Sequence, residues 1–109
     1  MVSVGLLIRL RARPGQETAV ANFLEGIMPL IREEEQTTCF FALRLGPAEF
    51  AIFDAFPDDA GRQAHLDGKA AAALFARADE LLAEPPLASP ADVVASKLPQ
   101  SAGALPAGA

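Results

Sequence analysis

From residue 4 to residue 13 apolar and other side chains alternate, with Val4, Leu6, Ile8 and Leu10 on one side and Gly5, Leu7, Arg9 and Arg11 on the other, the two-residue period of a β-strand. Pro14-Gly15 turns the chain, and Val20, Phe23, Leu24, Ile27 and Ile31 then recur at three- and four-residue spacing. That spacing predicts a helix with one apolar stripe, running to about Glu35 and kinked at Pro29, whose ring removes a donor and crowds the Glu25 carbonyl. Glu33, Glu34 and Glu35 fall where the helix dipole prefers cations, so they read as a solvated and locally unfavourable helix end. Two β-type runs, 37–45 and 49–56, are joined by Gly46-Pro47 and predict a tight antiparallel hairpin. Asp58 is placed to cap a helix over 60–66, a second helix follows over 69–83 beyond Gly68, and Pro85-Pro86 ends it. A last run, 92–98, completes a fourth strand.

The order βαββαβ predicts an α+β, ferredoxin-like domain over residues 1–98: a four-stranded antiparallel sheet with both helices on one face. Residues 99–109 form a small-residue tail with no apolar period. Strands one and two are apolar on both sides, with Phe40 and Ala42 opposing Phe41 and Leu43, so a lone subunit would leave a large apolar face in water. Two sheets stacked face to face as a homodimer, a dimeric α+β barrel, would cover it.

Composition narrows the function. At 109 residues one core is possible, and with seven Phe but no Trp or Tyr neither a phenol nor an indole can be a catalytic group. A net charge of −5 and a pI near 4.7 argue against a nucleic-acid partner, which needs clustered Lys and Arg. The single Cys39 cannot pair within the chain, no signal-peptide pattern opens it, and no apolar run reaches bilayer length, so the expectation is a cytoplasmic protein with no membrane partner.

The stretch Phe53-Asp54-Ala55-Phe56-Pro57-Asp58-Asp59 leading to Ala64-His65-Leu66, the strand end Arg13-Pro14-Gly15 and the acidic Glu33-Glu34-Glu35 together resemble the antibiotic biosynthesis monooxygenase domains. The likeness runs from about Val4 to Pro99. It is greatest for a subgroup with an Arg-Leu-Gly-Pro hairpin, here residues 44–47, and Gly-Arg-Gln-Ala-His-Leu, here 61–66. The resemblance implies a dimeric α+β barrel and cofactor-independent oxidation of a quinol or polycyclic phenol by molecular oxygen. Many relatives carry a second His five positions after the first, where this chain has Ala70. Haem-degrading relatives place an Asn where Ile8 stands and use a Trp that this chain lacks, which disfavours haem breakdown.

Such chemistry needs a base, a donor for a developing oxyanion and a dry pocket. His65, the one imidazole, is the candidate base, and Asp54 at the end of strand three could orient its ring. His65 packing helix two, with Asp54 in a surface pair, is the plainer alternative. Arg44 could hold an anion, although a two-residue turn sets it opposite Glu49 as an ion pair. Asn22 could donate to a substrate but neighbours the buried stripe and more naturally faces solvent. Phe40, Phe53 and Phe56 could wall the pocket or serve as core. Cys39 has no activating neighbour, one His with one Cys makes no closed metal site, and no Gly-rich loop offers a nucleotide anchor. An isomerase of a lactone or ketone, or a non-catalytic dimer that binds a small apolar ligand, fits the same residues.

Overall fold

The computed structural model describes residues 1–99; the predicted tail, apart from Pro99, lies outside the described residues. Four strands, β1 (Val4–Arg11), β2 (Cys39–Arg44), β3 (Glu49–Phe56) and β4 (Leu87–Asp92), form one antiparallel sheet in the order β2-β3-β1-β4. Helices α1 (Glu17–Gly26), α2 (Met28–Arg32), α3 (Asp59–Leu66) and α4 (Lys69–Leu81) supply the crossovers. This is the ferredoxin-like α+β fold. The long central strands β1 and β3 carry the core: Leu6, Ile8 and Leu10 sit beside Asp54, Ile52 and Phe50, and this face is closed by Val20, Leu24, Ile27, Leu74 and Leu81 from the helices.

The sheet's other face carries Leu7, Phe41, Leu43, Phe53 and Leu87, with Phe41 54% and Leu87 62% exposed. Gly5 belongs to this face, and the space above it is taken by the Phe53 ring, to which a Cβ at Gly5 would approach within 3.2 Å.

Three local details differ from the sequence expectation. The first helix is broken, not merely kinked, at Ile27; Pro29 sits in the first turn of α2, right after Met28, where a helix has spare donors, and so avoids crowding a carbonyl in an unbroken helix. The hairpin register shifts by one, so Arg44 lies opposite Phe50 rather than Glu49. A two-residue hairpin turn at Gly46-Pro47 would need a positive φ that Pro47 cannot adopt and Gly46 does not adopt, so Ala48 joins the loop. The fourth strand is Leu87–Asp92, not 92–98. Arg13 and Ala83 backbone N–H groups bond Leu81 and Arg11 carbonyls, which brings the chain alongside β1 early; by Asp92 it is opposite Val4, where β1 begins. Pro90 is tolerated because β4 is an edge strand.

Two features position α3. Asp58 caps it, its Oδ1 accepting from the Gly61 N–H at 2.9 Å, and Arg62 Nη1 donates to the Gly5 carbonyl at 3.2 Å, tying the helix to β1. Gly61 lies against the α2–β2 connection, where a Cβ would come within 2.9 Å of Gln36 Oε1. α3 is thereby anchored at its first turn to the connection that carries Glu34, and His65 lies in its last turn.

Candidate active site

His65, in that last turn, is 5% exposed and lies between two carboxylates. Its Nδ1 is 2.6 Å from Glu34 Oε1, and its Nε2 is 3.0 Å from Asp54 Oδ2. Asp54 is fully buried because it occupies an inward position of β3, between core residues Ile52 and Phe56. Its contact with Nε2 has ion-pair distance without hydrogen-bond alignment, and both of its oxygens lack an aligned donor. Glu34 is held from the other side by Thr37, whose hydroxyl donates to Oε1 at 2.7 Å, while its Oε2 is buried without a partner. The Phe56 ring packs against the imidazole, with centroids 5.4 Å apart.

Burial, the largest single influence on the ring, opposes its charge, but the Asp54 and Glu34 carboxylates outweigh it and push the pKa from 6.5 up to about 9. At neutral pH the cluster is therefore a buried imidazolium between two carboxylates. Desolvation of this size is tolerated because each ring nitrogen faces a negative oxygen.

The ring also forms the polar end of an apolar slot of about 40 Å³ between sheet and helices, walled by Ile8, Phe40, Ile52, Ile31 and Leu74, with Leu66 and Phe75 among its other lining residues. Leu66 and Phe75 are both exposed, which places them at the mouth. His65 also borders a cleft of about 180 Å³ lined by Glu34, Thr37, Gly61 and Ala64.

Of the residues singled out from sequence, the structure brings His65 and Asp54 together, sets Phe40 in the slot wall and packs Phe56 on the imidazole. Phe53 points to the opposite face of the sheet. Arg44 lies elsewhere: it donates to the Gly46 and Pro47 carbonyls at 3.3 and 2.9 Å and sits 5.0 Å above the Phe50 ring, while Glu49 pairs with Arg11. Asn22 is exposed on α1, in a groove shared with Arg77. Burial raises the Cys39 thiol pKa against a backbone hydrogen bond from Ala55, and the Asp54 charge adds to the rise, which disfavours the thiolate. Among the described residues no group of three or more His, Cys, Asp and Glu is arranged to hold a metal ion, and no helix is long and apolar enough to cross a membrane.

Glu34 is the member of the His65 cluster that the sequence did not single out. Read as part of a helix, it belonged to an unfavourable acidic end; with α2 closing at Arg32 it belongs to a turn. The available signal was Thr37 three residues later, a spacing at which a hydroxyl can reach back to a carboxylate.

The chain resembles the crystal structure of the NE2512 protein of unknown function from Nitrosomonas europaea, at 50% identity over 93% of this chain and 98% of that chain, with a TM-score of 0.90. It also superposes on Rv0793 from Mycobacterium tuberculosis at 17% identity over 92% of this chain and 99% of that one, with a TM-score of 0.72. A crystal structure of an antibiotic biosynthesis monooxygenase matches at 14% identity over 84% of this chain and 99% of that one, also with a TM-score of 0.72. The latter two likenesses establish a shared fold. No family model matches the chain, and no curated protein does.

Proposed function

The chain belongs to one family with the NE2512 protein of Nitrosomonas europaea, and we propose that it is a cofactor-independent monooxygenase of the antibiotic-biosynthesis type, oxidising a quinol or polycyclic phenol with molecular oxygen, a reading prompted by the fold it shares with an antibiotic biosynthesis monooxygenase. The observation that supports this reading best is the placement of a carboxylate-flanked imidazole as the polar end of an otherwise apolar slot. The reaction closes without a redox group: a quinol plus O2 gives a hydroxyquinone plus water, the electrons coming from the substrate.

His65 has two tasks in this scheme. In its neutral form, a minor species below about pH 9, it takes the phenolic proton. As imidazolium it steadies the substrate anion and returns a proton to the peroxide anion that forms when substrate and oxygen combine, before water leaves. The apolar walls keep solvent from the carbanion. At about 40 Å³ the slot has room for roughly one water, so substrate entry displaces Leu66 and Phe75 at the mouth. The enzyme works as a homodimer, its subunits joined through the sheet face that exposes Phe41 and Leu87.

Oxygen uptake by the purified protein over hydroquinones, dihydroxynaphthalenes and anthrones, without added metal, flavin or nicotinamide, tests the reading. Uptake that is lost in His65→Ala is expected; no uptake with any of them overturns it. Engagement of both ring nitrogens by carboxylates favours a second reading, a non-catalytic dimer in which the cluster is a clasp and the slot binds an apolar ligand. Ligand affinity unchanged by His65→Ala would select that alternative.

A further inference from the structure

The two carboxylates that flank His65 are chemically alike and differently connected. Asp54 is 0% exposed, lies within the sheet and borders neither the slot nor the cleft. Glu34 has a side chain 16% exposed and lines the cleft, whose rim includes the exposed Glu35, Gln36 and Ala64. His65 is the one residue that lines both spaces. Nothing in the slot wall besides the ring can accept or donate a proton by its side chain.

We propose that Glu34 is the proton outlet of the buried imidazole, passing the Nδ1 proton to water in the cleft, while Asp54 is a fixed counter-charge that takes no part in exchange. In the outward step the Nδ1–H bond breaks and an O–H bond forms on Glu34 Oε1; that O–H then breaks as water in the cleft takes the proton, and Glu34 is again a carboxylate. The ring is left neutral, with its remaining proton on Nε2 facing Asp54. The reverse sequence recharges it. The 2.6 Å separation of Nδ1 and Oε1 is short enough for direct transfer, and the Thr37 hydroxyl, donating to the same oxygen, holds the carboxylate in line. The charged groups acting on the ring are Glu34, from the α2–β2 connection, and Asp54, from β3. This exchange discharges and recharges the ring at Nδ1 and does not depend on the monooxygenase reading.

Because the chain has a single histidine, ring-nitrogen labelling gives one isolated set of imidazole signals, and the exchange of each N–H proton with water is measurable by NMR without any substrate. In the unaltered protein the Nδ1 proton is expected to exchange at least tenfold faster than the Nε2 proton; equal rates, or the reverse order, overturn the proposal. Glu34→Gln separates an outlet from a simple counter-charge, because the two roles have opposite signs. Losing a counter-charge lowers the ring pKa and speeds release of its proton, whereas losing the acceptor slows Nδ1 exchange despite the lower pKa, and added formate restores it. Faster exchange in Glu34→Gln overturns the assignment. Should that variant fail to fold, Ala64→Met leaves the three charged residues in place and covers the cleft; slower Nδ1 exchange is expected there, and an unchanged rate counts against the cleft as the route. Failure of these measurements leaves oxygen uptake untouched, and absence of uptake leaves them untouched.

Discussion

Glu34 and His65 are 31 positions apart in the chain and 2.6 Å apart in space, and this contact joins the turn after α2 to the last turn of α3. With Asp54 on the other ring nitrogen, one imidazolium holds the sheet and both helical crossovers at a single point.

The first consequence is a stability that depends on pH. The pKa of His65 is raised in the folded state from 6.5 to about 9. Below about pH 6.5 the ring is protonated in both folded and unfolded chains and the stabilisation is complete; between 6.5 and about 9 only the folded chain keeps the proton, and stability falls as pH rises; above about 9 the contribution is gone. The whole effect is on the order of 3 kcal/mol. Urea denaturation of the unaltered protein and of His65→Gln across this range should show the fall in the first and its absence in the second. A flat profile for the unaltered protein is incompatible with the assigned charge state.

Breaking the cluster at one member should cost more than replacing it entirely. His65→Ala leaves two carboxylates facing each other with no cation, at a cost of about 3–5 kcal/mol, whereas Glu34→Met, His65→Leu and Asp54→Val together exchange buried charge for apolar packing and should cost much less. Denaturation midpoints of the two variants decide this, and additive losses would mean that the three residues are not coupled.

The outer sheet face gives an independent expectation. Phe41→Glu with Leu43→Lys places charges on the exposed apolar face of β2, leaves the core face intact and should convert a dimer to a folded monomer. Sedimentation with far-UV circular dichroism reads both properties. A monomer before any substitution would refute the face-to-face pairing.

Gly5→Ala tests the packing of the same face at its tightest point. The added Cβ would lie 2.9 Å from the Asp54 carbonyl oxygen and 3.2 Å from the Phe53 ring. Because the oxygen belongs to the β3 backbone, it cannot swing away, and a loss of about 1–3 kcal/mol is expected by thermal denaturation. An unchanged midpoint would show that β1 and β3 can separate locally.

The first three strands, the helices and the core stripe were legible because each rests on a period: β1 alternates, and Val20, Leu24, Ile27 and Ile31 repeat at helical spacing; β4 was misplaced because Leu87–Asp92 is nearly all exposed and carries no apolar alternation. Ile27 illustrates the limit, being on the stripe and buried as expected yet also the point where the helix divides. What was not legible depended on register or on distant contact. One extra loop residue at Ala48 moved Arg44 from Glu49 to Phe50, and strand alternation alone does not show whether Phe53 or Asp54 faces the helices. Asp54 and His65 could be nominated by residue type, but Glu34 could not, because its role exists only once the α2–β2 connection folds back over α3.

Pro90 lies in β4, one border of the sheet, while the opposite border, β2, contains no proline from Cys39 to Arg44. The missing N–H leaves a gap in the row of donors that a foreign strand would need at β4. Lateral growth is therefore asymmetric: two molecules could join border to border through β2, but the product would present only proline-interrupted borders outward. A chain this apolar would then stop at pairs where a sheet with two open borders could polymerise into fibres, and Pro90 would act as a terminator of assembly.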